Sequence, residues 1–109
     1  MTNYQLGDLV LVAFPHTGKT RTKNRPALVV LDTGDADVVV ARVTTQLYQT
    51  SHDILIMDWP GAGLLAPSVA RLHKLATLEK TIIRRKLGQL QPTDRQRVAS
   101  VLQQTYGTW

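Results

Sequence analysis

The chain has 109 residues, enough for one hydrophobic core and too few for two ordinary domains, so residues 1–109 are expected to form a single domain. With 43% apolar and 19% charged residues it has the composition of a folded globular protein, and it shows neither a repeat nor a low-complexity tract. Its net charge of +5 favours acidic partners, nucleic acid first, and the absence of cysteine excludes disulfides and thiolate metal sites.

The charge is unevenly placed. Met1 to Asp58 holds five Lys/Arg against six Asp/Glu, whereas Trp59 to Trp109 holds eight against two. The first half nevertheless carries a basic loop. Three histidines, His16, His52 and His73, are widely spaced and show no His-x-x-x-His pattern, so no metal site is expected. The N-terminus, MTNYQLGD, lacks a basic segment followed by an apolar one, and no apolar run approaches the ~20 residues of a membrane span. A cytoplasmic protein with no membrane partner is the expectation.

Leu6 to Phe14 (LGDLVLVAF) opens at Gly7-Asp8 and continues in aliphatic and β-branched residues, which predicts a largely buried strand. The next stretch, PHTGKTRTKN, alternates Lys19, Arg21, Lys23 and Arg25 with Gly18, Thr20, Thr22 and Asn24. It has no apolar period and many turn formers, so it reads as a surface loop. Alternating cations suit a polyanion. Pro26 fixes its own φ and drives Arg25 towards an extended conformation, which places Arg25 at a loop-to-strand junction as a restrained candidate for meeting phosphate.

Ala27 to Leu31 predicts a second strand, closed by the hairpin turn Asp32-Thr33-Gly34-Asp35. Asp37 to Thr45 is the most β-prone run and ends in Thr44-Thr45-Gln46. His52 to Asp58 (HDILIMD) is apolar at Ile54, Leu55, Ile56 and Met57 alike, which predicts a strand covered on both faces. Two prolines and two glycines make Trp59 to Pro67 a loop. Ser68 to Leu78 is expected as a strand, although a period of 3.6 also partly fits and a helix beginning at Ala70 or Leu72 is the alternative; Glu79 to Ile83 is expected as a short helical turn, and Lys86 to Leu90 as a brief last strand.

Gln91-Pro92-Thr93-Asp94 opens a helix, with proline in the first turn and a carboxylate at the positive end of the dipole. Val98, Val101, Leu102 and Tyr106 fall on one face, Arg95 and Arg97 lie off it, and Gly107 is the expected end. Short antiparallel strands with one terminal helix predict a small, strongly bent sheet or barrel.

Taken together, GDLVLVAF, the basic loop, RPALVVL, a strand ending VTTQ, GLLAPSVARLHKLATLE, KLGQL and the terminal helix resemble the MazF/PemK toxins of type II toxin–antitoxin systems, from Gly7 to about Leu102. Each motif is short; their order and spacing carry the resemblance. It implies a mainly β fold with a C-terminal α-helix, an SH3-like small antiparallel barrel, assembled as a homodimer. It also implies a metal-independent endoribonuclease that uses no cofactor, cleaves single-stranded RNA, commonly messenger RNA, and is neutralised by a cognate antitoxin protein.

Carried across the matching motifs, the family's catalytic arginine falls on Arg25 and its catalytic threonine on Thr44, with Thr45 as the neighbouring alternative. Where some members have a carboxylate near the arginine, this chain has Asn24, which cannot take a proton. His16 is then the nearest residue in sequence with a suitable pKa, and His73 the second candidate. RNA contacts are expected from Lys19, Arg21, Lys23, Asn24, Thr45, Gln46 and His73, with Arg84, Arg85 and Lys86 as further cations. Only six aromatic residues are present, so bases are expected to be read by polar edges rather than by a stacking platform. Two other readings fit the same pattern: a toxin of this fold that acts on DNA gyrase through protein contacts, and an SH3-like nucleic-acid-binding module.

Overall fold

A computed structural model describes residues 2–15 and 22–107. Six strands follow in chain order: β1 (Asp8–Pro15), β2 (Thr22–Leu31), β3 (Asp37–Thr44), β4 (Asp53–Leu55), β5 (Val69–Glu79) and β6 (Ile83–Gln89). A 3-10 turn at Lys80–Ile82 joins β5 to β6, and helix α1 (Pro92–Tyr106) ends the described chain. The strands form one sheet in the order β4-β5-β3-β2-β1-β6, with every neighbouring pair antiparallel.

Both faces of this sheet are covered, which is why its central strands are almost continuously apolar. On one face Leu9, Leu28, Ala41, Val43, Ile54 and Leu72 pack beneath Val98, Val101 and Leu102 of α1. On the other, Val10, Val12, Ala27, Val29, Val38 and Val40 are covered by Tyr4, Phe14, Leu78, Ile82 and Ile83. Alternation along β1, β2 and β3 sorts successive side chains into these two cores.

The mainly β fold with a terminal helix is as expected, but the barrel is not closed. β4 and β6 remain the two edges of the sheet. The physical reason lies in the segment after β4, which turns away instead of pairing across the gap. The backbone amides of Met57 and Asp58 donate to the Asp94 carboxylate of α1 at 3.1 and 2.9 Å. Hence β4 has three residues instead of the seven expected, and Leu55 and Met57 are exposed while Ile54 and Ile56 are buried. The loop from Trp59 to Pro67 then lies against β6. Gly63, at φ 86°, permits this: a Cβ there would stand 2.1 Å from the Leu87 carbonyl oxygen, and one at Gly88 would stand 2.3 Å from that of Ala62.

β2 starts at Thr22, so Arg25 lies within a strand and pairs with Val12 rather than sitting at a junction. Pairing with β3 begins only at Ala27, which leaves β1 as the sole neighbour at Pro26 and tolerates its missing N–H. β6 likewise begins three residues earlier than expected and includes Arg84 and Arg85. Between β3 and β5 the register jumps: Ala41 pairs with Leu75 and Arg42 with Arg71, so Leu72, His73 and Lys74 form a bulge. Bulges re-aim side chains, and this one serves two places described below.

Candidate active site

The neighbouring strands β2 and β3 carry Ala27 opposite Arg42. Continued by two residues, that register brings Arg25 level with Thr44, and alternation places Arg25, Ala27, Arg42 and Thr44 on the same face of the sheet. A pocket of about 360 Å³ opens on this face. Arg25, Arg42 and Lys74 supply its charge, and Phe14, Pro26, Ala27, Val40, Leu75 and Ala76 supply apolar walls. Among the described residues no acidic side chain lines it.

The three cations are exposed and form no ion pair among the described residues. Arg71, on the same sheet, shows the contrast. It is buried, donates from Nε to Asp53 Oδ1 at 2.9 Å and stands 3.6 Å over the Tyr48 ring. Burial opposes the charge on Asp53, but hydrogen bonds from Arg71 and Thr50 prevail and hold its carboxyl below the usual range. Arg71 is therefore a structural cation, whereas Arg25, Arg42 and Lys74 present unpaired positive charge beside apolar surface.

Thr44 is 8% exposed, and its Oγ1 accepts the backbone N–H of Gln46 at 3.1 Å. That bond fixes the oxygen and leaves the hydroxyl proton to donate elsewhere. Gln46 is itself held, because its Oε1 accepts the Tyr48 hydroxyl at 2.7 Å. Thr45, exposed, lines a different cleft with Arg85 and Ser68. Alternation thus separates the two threonines, with Thr44 on the Arg25 face.

Lys23 is exposed two residues before Arg25 on the same strand face, and Asn24 points to the opposite face. His16, Lys19 and Arg21 lie outside the described residues. His73 sits in the β5 bulge away from the pocket: its ring centroid is 5.2 Å from that of His52, whose Nδ1 is 3.2 Å from Thr105 Oγ1 on α1. Lys86 is engaged with Asp8 at 3.2 Å.

The structure adds Arg42 and Lys74 to the site. Arg42 has a signal in the sequence as the lone cation in DVVVARVTT, two residues before Thr44 and so on its face. Lys74 had no such signal, because only the bulge aims it here. Among the described residues no three His, Cys, Asp or Glu side chains converge as a metal site would require. No described helix is long and apolar enough to cross a membrane.

Comparison with solved structures finds the same fold. An endoribonuclease in complex with its cognate antitoxin from a mycobacterial species matches with TM-score 0.73 at 20% identity, over 94% of this chain and 95% of that one. The Mycobacterium tuberculosis toxin MazF-mt6 matches with TM-score 0.75 at 19% identity, over 94% and 99%. MazF in a MazE–MazF crystal structure from Deinococcus radiodurans matches with TM-score 0.79 at 17% identity, over 99% and 100%. A comparison with curated protein sequences finds no match. The family model for the PemK-like, MazF-like toxin of type II toxin–antitoxin systems matches residues 5–106, nearly the whole chain. With the order of motifs, the two-core sheet and the terminal helix all in agreement, the chain belongs to the PemK-like, MazF-like toxins of type II toxin–antitoxin systems.

Proposed function

We propose that this protein is an endoribonuclease toxin that cleaves single-stranded RNA, and that residues 1–109 act as one toxin domain. The observation that carries this reading is the placement of Arg25 and Thr44 on adjacent strands, one face, beside a pocket whose three cations have no acidic partner among the described residues. An apolar wall next to unpaired guanidinium groups suits a nucleotide, whose phosphate is charged and whose base has apolar faces.

In the proposed reaction the ribose 2′-oxygen attacks the adjacent phosphorus and the bond to the 5′-oxygen breaks. The products are a 2′,3′-cyclic phosphate and a 5′-hydroxyl. The attacking hydroxyl gives its proton to a base and the departing oxygen receives one. Negative charge grows on the phosphate oxygens on the way, and Arg25 offers paired, always-charged donors to them. Thr44, its oxygen fixed by the Gln46 amide, donates to the same phosphate. His16 is the proposed proton acceptor, on its intrinsic pKa. The route requires no metal because guanidinium groups supply the positive charge.

The family reading supports a homodimer neutralised by a cognate antitoxin in the cytoplasm. Equilibrium sedimentation at micromolar concentration checks the dimer, against which a lone 12.1 kDa species would count.

The reaction is tested by incubating wild-type protein and its variants with a long single-stranded RNA in EDTA, mapping the fragment ends and assaying cyclic phosphate. Discrete cuts are expected from wild type, with the rate lowered about 10²–10³-fold in Arg25→Ala and less in Thr44→Ala. A His16→Ala arm, run across neutral and acidic pH, should lose rate and change the pH profile; parental rates throughout exclude His16. Absence of cutting by wild-type protein overturns the ribonuclease reading in favour of a toxin acting through protein contacts or a binding module.

A further inference from the structure

The loop between β3 and β4 is exposed from residue 45 to residue 51, yet it carries the amide that fixes Thr44. A threonine oxygen accepting the N–H two residues on is a weak local contact, and it lasts only while the following residues keep their place. A buried ion pair keeps them there. Asp53 stands opposite Arg71, and Arg71 opposite Arg42, so the pair lies on the sheet face that carries Arg25 and Thr44.

Arg71 and Asp53 fasten the loop at two points. Asp53 Oδ2 accepts the Thr50 N–H at 3.0 Å and the Thr50 hydroxyl at 2.7 Å, while Asp53 Oδ1 holds Arg71 at 2.9 Å. Arg71 in turn seats the Tyr48 ring, with its guanidinium carbon 3.6 Å from the ring centre. A cation over an aromatic face is attractive, and more so where the cation is desolvated, as the Arg71 side chain is at 10% exposure. Tyr48 then grips Gln46 twice: its hydroxyl donates to Gln46 Oε1 at 2.7 Å, and its N–H to the Gln46 carbonyl oxygen at 3.0 Å. Gln46 N–H reaches Thr44 Oγ1 at 3.1 Å. The contacts thus run unbroken from Asp53 through Arg71, Tyr48 and Gln46 to Thr44.

We propose that Tyr48 is a positioning residue for RNA cleavage: seated on Arg71, it holds Gln46 so that the Thr44 hydroxyl is aimed at the phosphate. The inference rests on the ribonuclease reading. With Oγ1 engaged by the Gln46 amide, the Thr44 side chain keeps one rotamer and its proton stays free for the substrate. Loss of the Tyr48 anchor releases Gln46, and the hydroxyl then samples rotamers that miss the phosphate. Tyr48 touches no reacting atom in this scheme, so its effect exists only while Thr44 is present.

The test measures kcat and KM on an RNA oligonucleotide carrying the sequence that wild type cuts, for wild type, Tyr48→Ala, Tyr48→Phe, Thr44→Ala and the two double variants. Tyr48→Ala should lower kcat about 10-fold with KM unchanged. Tyr48→Phe, which keeps the ring on Arg71 and loses the hydroxyl, should lower it about 3-fold. In the Thr44→Ala background neither change should slow cleavage further. A loss of the same size with and without Thr44 overturns the proposal, since a general loosening of the fold would give that result. So does a raised KM at parental kcat, which would make the ring an RNA contact, and so does parental kcat in either Tyr48 variant. Absence of cleavage by wild type fails the ribonuclease reading and the proposal with it, and is set apart by appearing before any substitution is made. Tyr48 is 37% exposed, and thermal melting of each variant checks that the fold is kept. If Tyr48→Ala does not fold, the Tyr48→Phe cycle decides alone.

Discussion

Asp94 is by sequence a carboxylate at the positive end of α1, and the structure gives it more to do. It is 2% exposed, accepts the backbone N–H groups of Met57 and Asp58, and receives Arg97 Nη1 at 3.0 Å. One carboxylate in the first turn of α1 thus ties the segment after β4 to the helix. Arg97 also donates to the Leu55 carbonyl oxygen at 2.8 Å, covering the open edge of the sheet. Removing the carboxylate would strand two amide donors and one guanidinium, so Asp94→Ala is expected to cost about 3 kcal/mol. Urea denaturation should show a lower midpoint with an unchanged slope. A shift within the error of the measurement would show that this anchor is dispensable. Such roles escape sequence reading because the partners lie 36 and 37 positions away, whereas capping rules see only the first turn.

At the level of elements, strands with a strong local pattern were legible and their irregularities were not. β1, β3 and α1 follow from aliphatic runs, alternation and the Pro92 start, and they fall within a few residues of expectation. Nothing in VARLHKLATLE marks the bulge at Leu72–Lys74, since a bulge depends on the partner strand's register. Yet this bulge separates the fates of two neighbouring residues. Lys74 enters the Arg25 pocket, and His73 turns to His52 beneath the end of α1.

The His73 Nδ1 atom is buried with no hydrogen-bond partner among the described residues. Burial first, and then Arg71, His52 and Lys74, push the His73 pKa below its ordinary value, with Asp53 opposing them. The folded protein therefore prefers the neutral ring. Below the ordinary histidine pKa of about 6.5 the unfolded chain binds more protons at this position than the folded one does, so stability present above that pH is lost as pH falls. Replacing the ring by an uncharged side chain removes that proton uptake. Denaturation midpoints of wild type and His73→Gln, compared from about pH 7 to about pH 5, should diverge in slope, with the wild type falling more steeply. Parallel curves would show that His73 does not titrate differently on folding.

For the molecule as a whole, net charge pointed to an acidic partner but could not say which cations meet it. Four ion pairs, of Arg71 with Asp53, Lys80 with Asp32, Lys86 with Asp8 and Arg97 with Asp94, withdraw part of the basic excess of the second half. Among the described residues, Arg25, Arg42 and Lys74 form no ion pair and line one cleft, Arg85 forms none and lines the other, and exposed Lys23 shares the Arg25 face. Salt dependence measures how many of these meet phosphate. Each phosphate neutralised on a single strand contributes about −0.7 to the slope of log affinity against log salt, so about four contacts give a slope near −3. The measurement uses the cleavable RNA with a 2′-deoxyribose at the cut position, which binds but lacks the attacking hydroxyl. Arg42→Ala, which removes a cation that pairs with no carboxylate among the described residues, should flatten the slope by about 0.7 and weaken binding evenly across sequences. A wild-type slope near zero would mean that these cations do not neutralise phosphate, and an unchanged slope in Arg42→Ala would place the nucleic acid away from the pocket that Arg42 shares with Arg25 and Lys74.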